Sequence, residues 1–344
     1  MTNATPTLRT APDAAAAREE APRTGSAVDG QLPLGELSAD LPDHAARQPT
    51  SRSARRRRQY LVFALFAFPN LALLLVFSYL PVVANIGLSF TRWDMIAAVP
   101  VPVGLSNWEG FFTDPQVLRA LRTTLIWVAV TVGASMLIGL AMAALFNARP
   151  PLGRLASTVS FTPYVLSGAA IGALWLFIFD PRYGLMRLAF DLIGQASPAW
   201  MTSSTWALPG LLIVAVWQNV GFVALVYLAA LRGIPQDVKE AAALDGANAM
   251  ATFRHVVLPL LSPTTFFLLI TQTIGAFQSF DLIAMMTGGG PSRSTTTLSW
   301  FIYEQGFQRF DLGMAATASV FMFVLLMAIT ALQFLYAERK VTYS

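Results

Sequence analysis

The sequence predicts an all-α integral membrane protein with six transmembrane helices. Three observations carry that prediction. Only 12% of the 344 residues are charged and 55% are hydrophobic, whereas soluble domains carry about 25% charged residues. Mean hydropathy is +0.55. The apolar residues gather into runs that, at about 1.5 Å per residue, cross a hydrocarbon core of about 30 Å. Lipid offers no partner to an open backbone, so each run is read as a helix.

The elements follow in order. Residues 1–54 are rich in Ala, Pro, Thr, Asp and Arg without apolar periodicity, and are expected to form a disordered cytoplasmic tail. Nothing in this tail resembles a secretory leader, because the first apolar run comes too late and is too long. Arg55 to Arg58 then abut the first span and act as a topological anchor, with contact to anionic lipid. The membrane domain covers 55–340. Its spans are expected at 60–90, interrupted by Pro69 and Pro81, and at 118–146, 155–179, 206–231, 264–287 and 314–337.

Orientation comes from the basic residues. With the N-terminus inside, the cytoplasmic flanks hold Arg52, Arg55 to Arg58, Arg149, Arg154, Arg232, Lys239, Arg254, Arg339 and Lys340, twelve in all. The opposite segments hold Arg92, Arg119, Arg122, Arg182, Arg187, Arg293 and Arg309, which is seven. The bias places both termini in the cytoplasm. The outer segments carry Trp93, Trp108, Phe111, Phe112, Asp180 to Gly184 and Trp200, residues suited to a membrane interface.

Several chemistries are excluded. Cysteine is absent, so there is no disulfide framework and no thiolate metal site. The two histidines, His44 and His255, lie far apart in the chain, which argues against a metal or His-based catalytic centre. The segment Gly288 to Thr295 has a phosphate-loop look but lacks the Gly-Lys-Ser/Thr ending. No nucleotide site is therefore expected in this chain, and no enzymatic activity.

The most ordered polar feature is the insert at 233–263. Pro235 suits a helix start. Asp237 and Glu240 in the first turns favour the helix dipole. Ala241 to Ala243 are strong helix formers with a small face. Gly246 can end the helix in a left-handed conformation, and Asn248 can cap a second helix over 249–257. Phe253, Val256 and Val257 then share one side. Pro259 and Pro263 turn the chain back into the membrane. An ordinary amphipathic linker is the plain reading. A small-residue face that admits another surface closely favours a docking element.

Glu240-Ala241-Ala242, Asp245-Gly246-Ala247, Phe253, Leu258-Pro259 and Pro263 together resemble the EAA loop of ABC importer permeases. Leu88 to Trp93, Trp217 to Phe222, Phe280 to Ile283 and Met286 to Pro291 resemble the carbohydrate branch of that family, of the maltose and glycerol-phosphate type, in its first permease subunit. The resemblance spans about 60–340. It implies a type I ABC importer transmembrane domain in a bacterial inner membrane. It implies that Glu240, Ala241, Ala242, Asp245, Gly246 and Ala247 form a coupling helix seated on a separate ATPase. The implied partners are a second permease, two ATP-binding subunits and an extracellular solute-binding protein. The implied substrate is a sugar. ATP and Mg would be held by the partner ATPase, with no cofactor in this chain.

Candidate pathway residues are Trp217, Gln218, Asn219, Phe222, Gln278, Phe280 and Asp281, with Gln272 beside them. An amide facing lipid at mid-bilayer is unfavourable. These amides either line a cavity, binding sugar hydroxyls while an aromatic stacks on the ring, or join helices as interhelical bonds. Asp281, the one acid placed within a span, either contacts sugar or pairs with an arginine. A permease for a non-sugar solute, an ion-gradient transporter and a membrane scaffold are the competing readings.

Overall fold

The computed structural model describes residues 52–148 and 150–338. The expected tail over 1–54 lies outside the described residues except for its last three, which already belong to a helix. Arg149, Arg339 and Lys340 also lie outside them. The chain divides into two compact units, Met1–Ala64 and Leu65–Ser344. In the first, the described residues are helical, and the Arg56 guanidinium lies 6.0 Å from the Tyr60 ring centre, within cation–π range.

Helix α1 (Arg52–Leu74) carries Pro69 inside it. In the second unit a π-helical turn (Leu75–Tyr79) and α2 (Leu80–Leu88) follow. Pro81 stands two residues after that turn. A proline cannot donate to the preceding turn, and a wider turn absorbs the missing bond. None of these π-turn and α2 residues is buried, although Val82, Asn85 and Ile86 of α2 share a groove with Ser319, Val320 and Phe323. Strands β1 (Thr91–Arg92) and β2 (Val101–Pro102) pair antiparallel. Asn107 of α3 (Ser106–Thr113) donates to the Ser89 and Thr91 carbonyls at 3.0 and 2.8 Å.

Helix α4 (Pro115–Ala148) threads three buried clusters. Near its start Val117 and Ala120 pack with Phe111, Leu298, Phe301 and Ala318. At its middle Trp127 and Val132 pack with Ile171, Trp175, Leu211 and Ile283. At its end Ala143 and Phe146 pack with Val223, Tyr227 and Leu228.

The predicted third span over 155–179 is not one helix. Helices α5 (Pro150–Val165) and α6 (Gly168–Ile178) replace it, bent by 103° at the break. Pro163 removes a backbone donor just before the break. Ser167 is extended (φ −64°, ψ 142°), and its Oγ accepts from Ala170 N at 3.3 Å, which starts the new helix. Among the described residues five other helices are long and apolar enough to cross a membrane, six spans in all when the bent pair is counted as one.

Helix α7 (Leu185–Leu192) follows a loop in which Asp180 accepts from the backbone of Arg182 at 2.7 Å and of Tyr183 at 3.2 Å. The Arg182 backbone bond, first among several causes, holds the Asp180 carboxyl below its ordinary range. Helix α8 (Ala207–Gly233) lies against α4 and α5. A Cβ on Gly139 of α4 would stand 2.7 Å from Val223 Cγ1, and one on Gly221 of α8 would collide with the Ser160 carbonyl of α5. Helices that approach this closely pack through small residues, the usual device in lipid.

After α8 come α9 (Gln236–Leu244), α10 (Ala249–Thr252), a second π turn (Phe253–Val257) and α11 (Leu258–Leu260). Pro259 stands two residues beyond that turn, the spacing seen at Pro81. The fifth span is α12 (Ser262–Phe277) and α13 (Asp281–Met286), interrupted at Gln278 to Phe280. Helix α14 (Leu298–Tyr303), a π turn (Glu304–Gln308) and α15 (Leu312–Glu338) complete the chain. Leu298 N donates to Thr124 Oγ1 at 2.8 Å and ties α14 to α4. Glu304 pairs with Arg293 and, at 3.1 Å, with Arg309.

Candidate functional site

The polar insert folds as two short helices hinged at glycine. Helix α9 opens at Pro235 (φ −54°, ψ 141°) and has no buried residue. Its end is closed by Gly246 N donating to Ala243 O and Ala247 N donating to Ala242 O, both at 3.0 Å. That pair of bonds defines a Schellman motif, which needs the left-handed φ of +85° found at Gly246. Asn248 Oδ1 then accepts from Ala251 N at 2.8 Å and caps α10. Phe253 and Val257 turn inward onto the cluster of α4 and α8. Glu240, Ala241, Asp245 and Gly246 stay exposed, with Ala242 and Ala247 half-buried.

Two apolar residues at the hinge escaped the sequence reading. Leu244 is 90% and Met250 73% exposed. In sequence each looks like an ordinary apolar position of an amphipathic helix. Only the fold reveals that nothing among the described residues covers them.

A cavity of about 180 Å³ lies among α4, α5, α8 and the α12–α13 break. Trp127 and Thr131 of α4, Tyr164 of α5, Gln218 and Asn219 of α8, Gln272 of α12 and Ser279 line it. At roughly 30 Å³ per water it has room for about six. Asn219 Nδ2 donates to Ala215 O at 2.9 Å. Gln218 Nε2 reaches the Leu166 carbonyl, freed at the third-span break, at 3.4 Å. Gln218 therefore both joins helices and faces the cavity. Trp127 Nε1 and Thr131 Oγ1 are buried without a protein partner. Sequence reasoning missed these two, because Trp and Thr are unremarkable in a span.

The other predicted pathway residues are not brought to the cavity. Trp217, one residue and about 100° around the helix from Gln218, lines an apolar groove with Val130, Ile138 and Val220 instead. Its ring stands edge-on to Trp175 at 5.4 Å. Phe222 stacks at 4.5 Å on the cavity-lining Tyr164 and so backs the wall. Phe280 stacks on Trp300 at 5.7 Å. Gln278 and Asp281 are exposed, flanking the cavity-lining Ser279 and Leu282 in sequence. None of the ion pairs among the described residues involves Asp281.

The sequence profile of the family described as "binding-protein-dependent transport system inner membrane component" matches residues 135–343. The chain belongs to that family. The permease is also 36% identical over 282 residues to the sn-glycerol-3-phosphate transport system permease protein UgpA of Yersinia pestis bv. Antiqua (strain Antiqua), covering 81% of this chain and 95% of the relative. It is 35% identical over 290 residues to the protein of the same name from Pectobacterium atrosepticum, covering 83% and 97%. Its fold matches a crystal structure of a bacterial ABC transporter involved in the import of the acidic polysaccharide alginate, with a TM-score of 0.73 at 22% identity over 84% of this chain and 99% of that one. The permease is a multi-pass membrane subunit of a binding-protein-dependent ABC importer, and ATP hydrolysis belongs to separate subunits. Membership sets aside the ion-gradient and scaffold readings.

Proposed function

We propose that this permease forms half of the translocation pathway of an ATP-driven importer for a sugar or sugar-derived solute. A second, related permease supplies the other half. The loop from α9 to α10 seats on a cytoplasmic ATPase subunit, with both chain termini on the same side. Glu240, Ala241, Ala242, Asp245, Gly246 and Ala247 form the contact surface, and Leu244 and Met250 add apolar anchors. A binding protein delivers solute from the opposite side. The relatives named for sn-glycerol-3-phosphate transport support a hydroxylated solute.

The observation that carries the reading is the loop itself. It is a rigidly capped two-helix element with a 90% exposed leucine, in a family that borrows its ATPase. A buried-core leucine left in water forgoes about 1.5–3 kcal/mol of burial, which a partner cleft returns.

The test is ATP-dependent uptake by the complete importer reconstituted in liposomes. Gly246→Val forces a branched side chain into a left-handed conformation costing at least about 1–2 kcal/mol. Uptake is expected to fall at least tenfold. Undiminished uptake together with undiminished co-purification of the ATPase would remove the coupling role.

A further inference from the structure

We infer that the cavity selects an uncharged, polyhydroxylated solute and excludes its phosphate ester, with Trp127 and Thr131 as specificity-determining donors. The inference rests on the importer reading above and narrows it. Trp127 is 1% and Thr131 3% exposed, yet Trp127 Nε1 and Thr131 Oγ1 have no hydrogen-bond partner in the protein, and both residues line the cavity. Buried polar atoms are nearly always paired. Nine buried side-chain atoms lack a protein partner among the described residues, and Trp127 Nε1 and Thr131 Oγ1 are the two that belong to residues lining this cavity, where a ligand can supply the partner.

The rest of the wall specifies the ligand's charge. Gln218, Asn219, Gln272 and Ser279 present neutral amides and a hydroxyl, and among the described residues no charged side chain lines the cavity. Gln272 is buried against the cavity. Amides and hydroxyls both donate and accept, which matches sugar hydroxyls that do the same. A phosphate ester carries about −1.5 to −2 charges at neutral pH and only accepts through its charged oxygens. Burying that charge requires a cation or a ring of donors. Half of the wall's amide atoms are acceptors that such an anion repels.

The complete importer in liposomes tests this with three probes: a panel of neutral mono- and disaccharides, glucose 6-phosphate and sn-glycerol-3-phosphate. ATP-dependent uptake of a neutral saccharide, with uptake of both phosphate esters at least tenfold lower, is the expected result. Thr131→Val keeps the shape and removes the hydroxyl. It is expected to lower saccharide uptake about tenfold at saturating binding protein, and Thr131→Ser is expected to restore it. Trp127→Phe, which removes the indole donor together with part of the ring, is expected to act in the same direction. Phosphate-ester uptake equal to or above that of every neutral saccharide overturns the inference and leaves the importer reading standing. Saccharide uptake unaltered in both Thr131→Val and Trp127→Phe overturns the assignment of the two donors. ATP-dependent uptake of none of the probes overturns both readings together.

Discussion

At the scale of the residue, the interior of this protein is set by close approaches and by a few stranded polar atoms. Gly221 is the sharpest case, since any side chain there meets the Ser160 carbonyl of the neighbouring helix. Gly221→Ala is expected to destabilise the α5–α8 contact by about 1–3 kcal/mol, the usual cost of overpacking. A lower melting temperature of the purified permease would register it, and an unchanged one would mean that α5 shifts freely. The amides at Gln218, Asn219 and Gln272 were legible in sequence because a polar side chain in an apolar run demands a partner. Trp127 and Thr131 were not legible, since their orphaned atoms exist only once neighbouring helices have failed to supply partners. Trp217 belonged to the same motif as Gln218 but turns away, because adjacent residues on a helix face different directions.

At the scale of the element, the sequence carried the spans well and their interruptions less well. Length and apolarity mark a crossing, but Pro163 alone does not separate a kinked helix from a broken one. The 103° bend depends on Ser167 adopting an extended conformation and capping α6. It also depends on Gly168, where a Cβ would stand 2.8 Å from Asp281 Cβ on α13. The break exposes the Leu166 carbonyl that Gln218 satisfies. Gln218→Leu is expected to cost about 1 kcal/mol of stability through that bond and to lower uptake as well. Thermal denaturation and uptake of the same preparation would check it: a loss of stability with full uptake would confine Gln218 to joining helices. The two-helix form of the α9–α10 loop was legible nearly to the residue. Its signals are local ones: a proline before the first helix, alanines within it, a glycine at its end and an asparagine cap beyond.

At the scale of the whole molecule, residues of α4, of α8, of the bent third span and of the interrupted fifth line one cavity, and the α9–α10 loop follows the end of α8. Helix α8 thus links the two: Gln218 and Asn219 stand near its middle, and α9 begins three residues after it ends. A push on the loop has a continuous helix through which to reach the cavity wall. The claim at the centre of this account is that the loop meets an ATPase subunit. The chain has no cysteine, so one introduced thiol is unambiguous. Leu244→Cys at the loop and Leu192→Cys at the end of α7, 90% and 88% exposed as leucines, form a matched pair. Thiol cross-linking of the assembled importer in native membranes is expected to join Leu244→Cys to the ATPase subunit and to leave Leu192→Cys unlinked to it. Linkage through Leu192→Cys alone, or through neither position in an importer that still transports, would contradict the account.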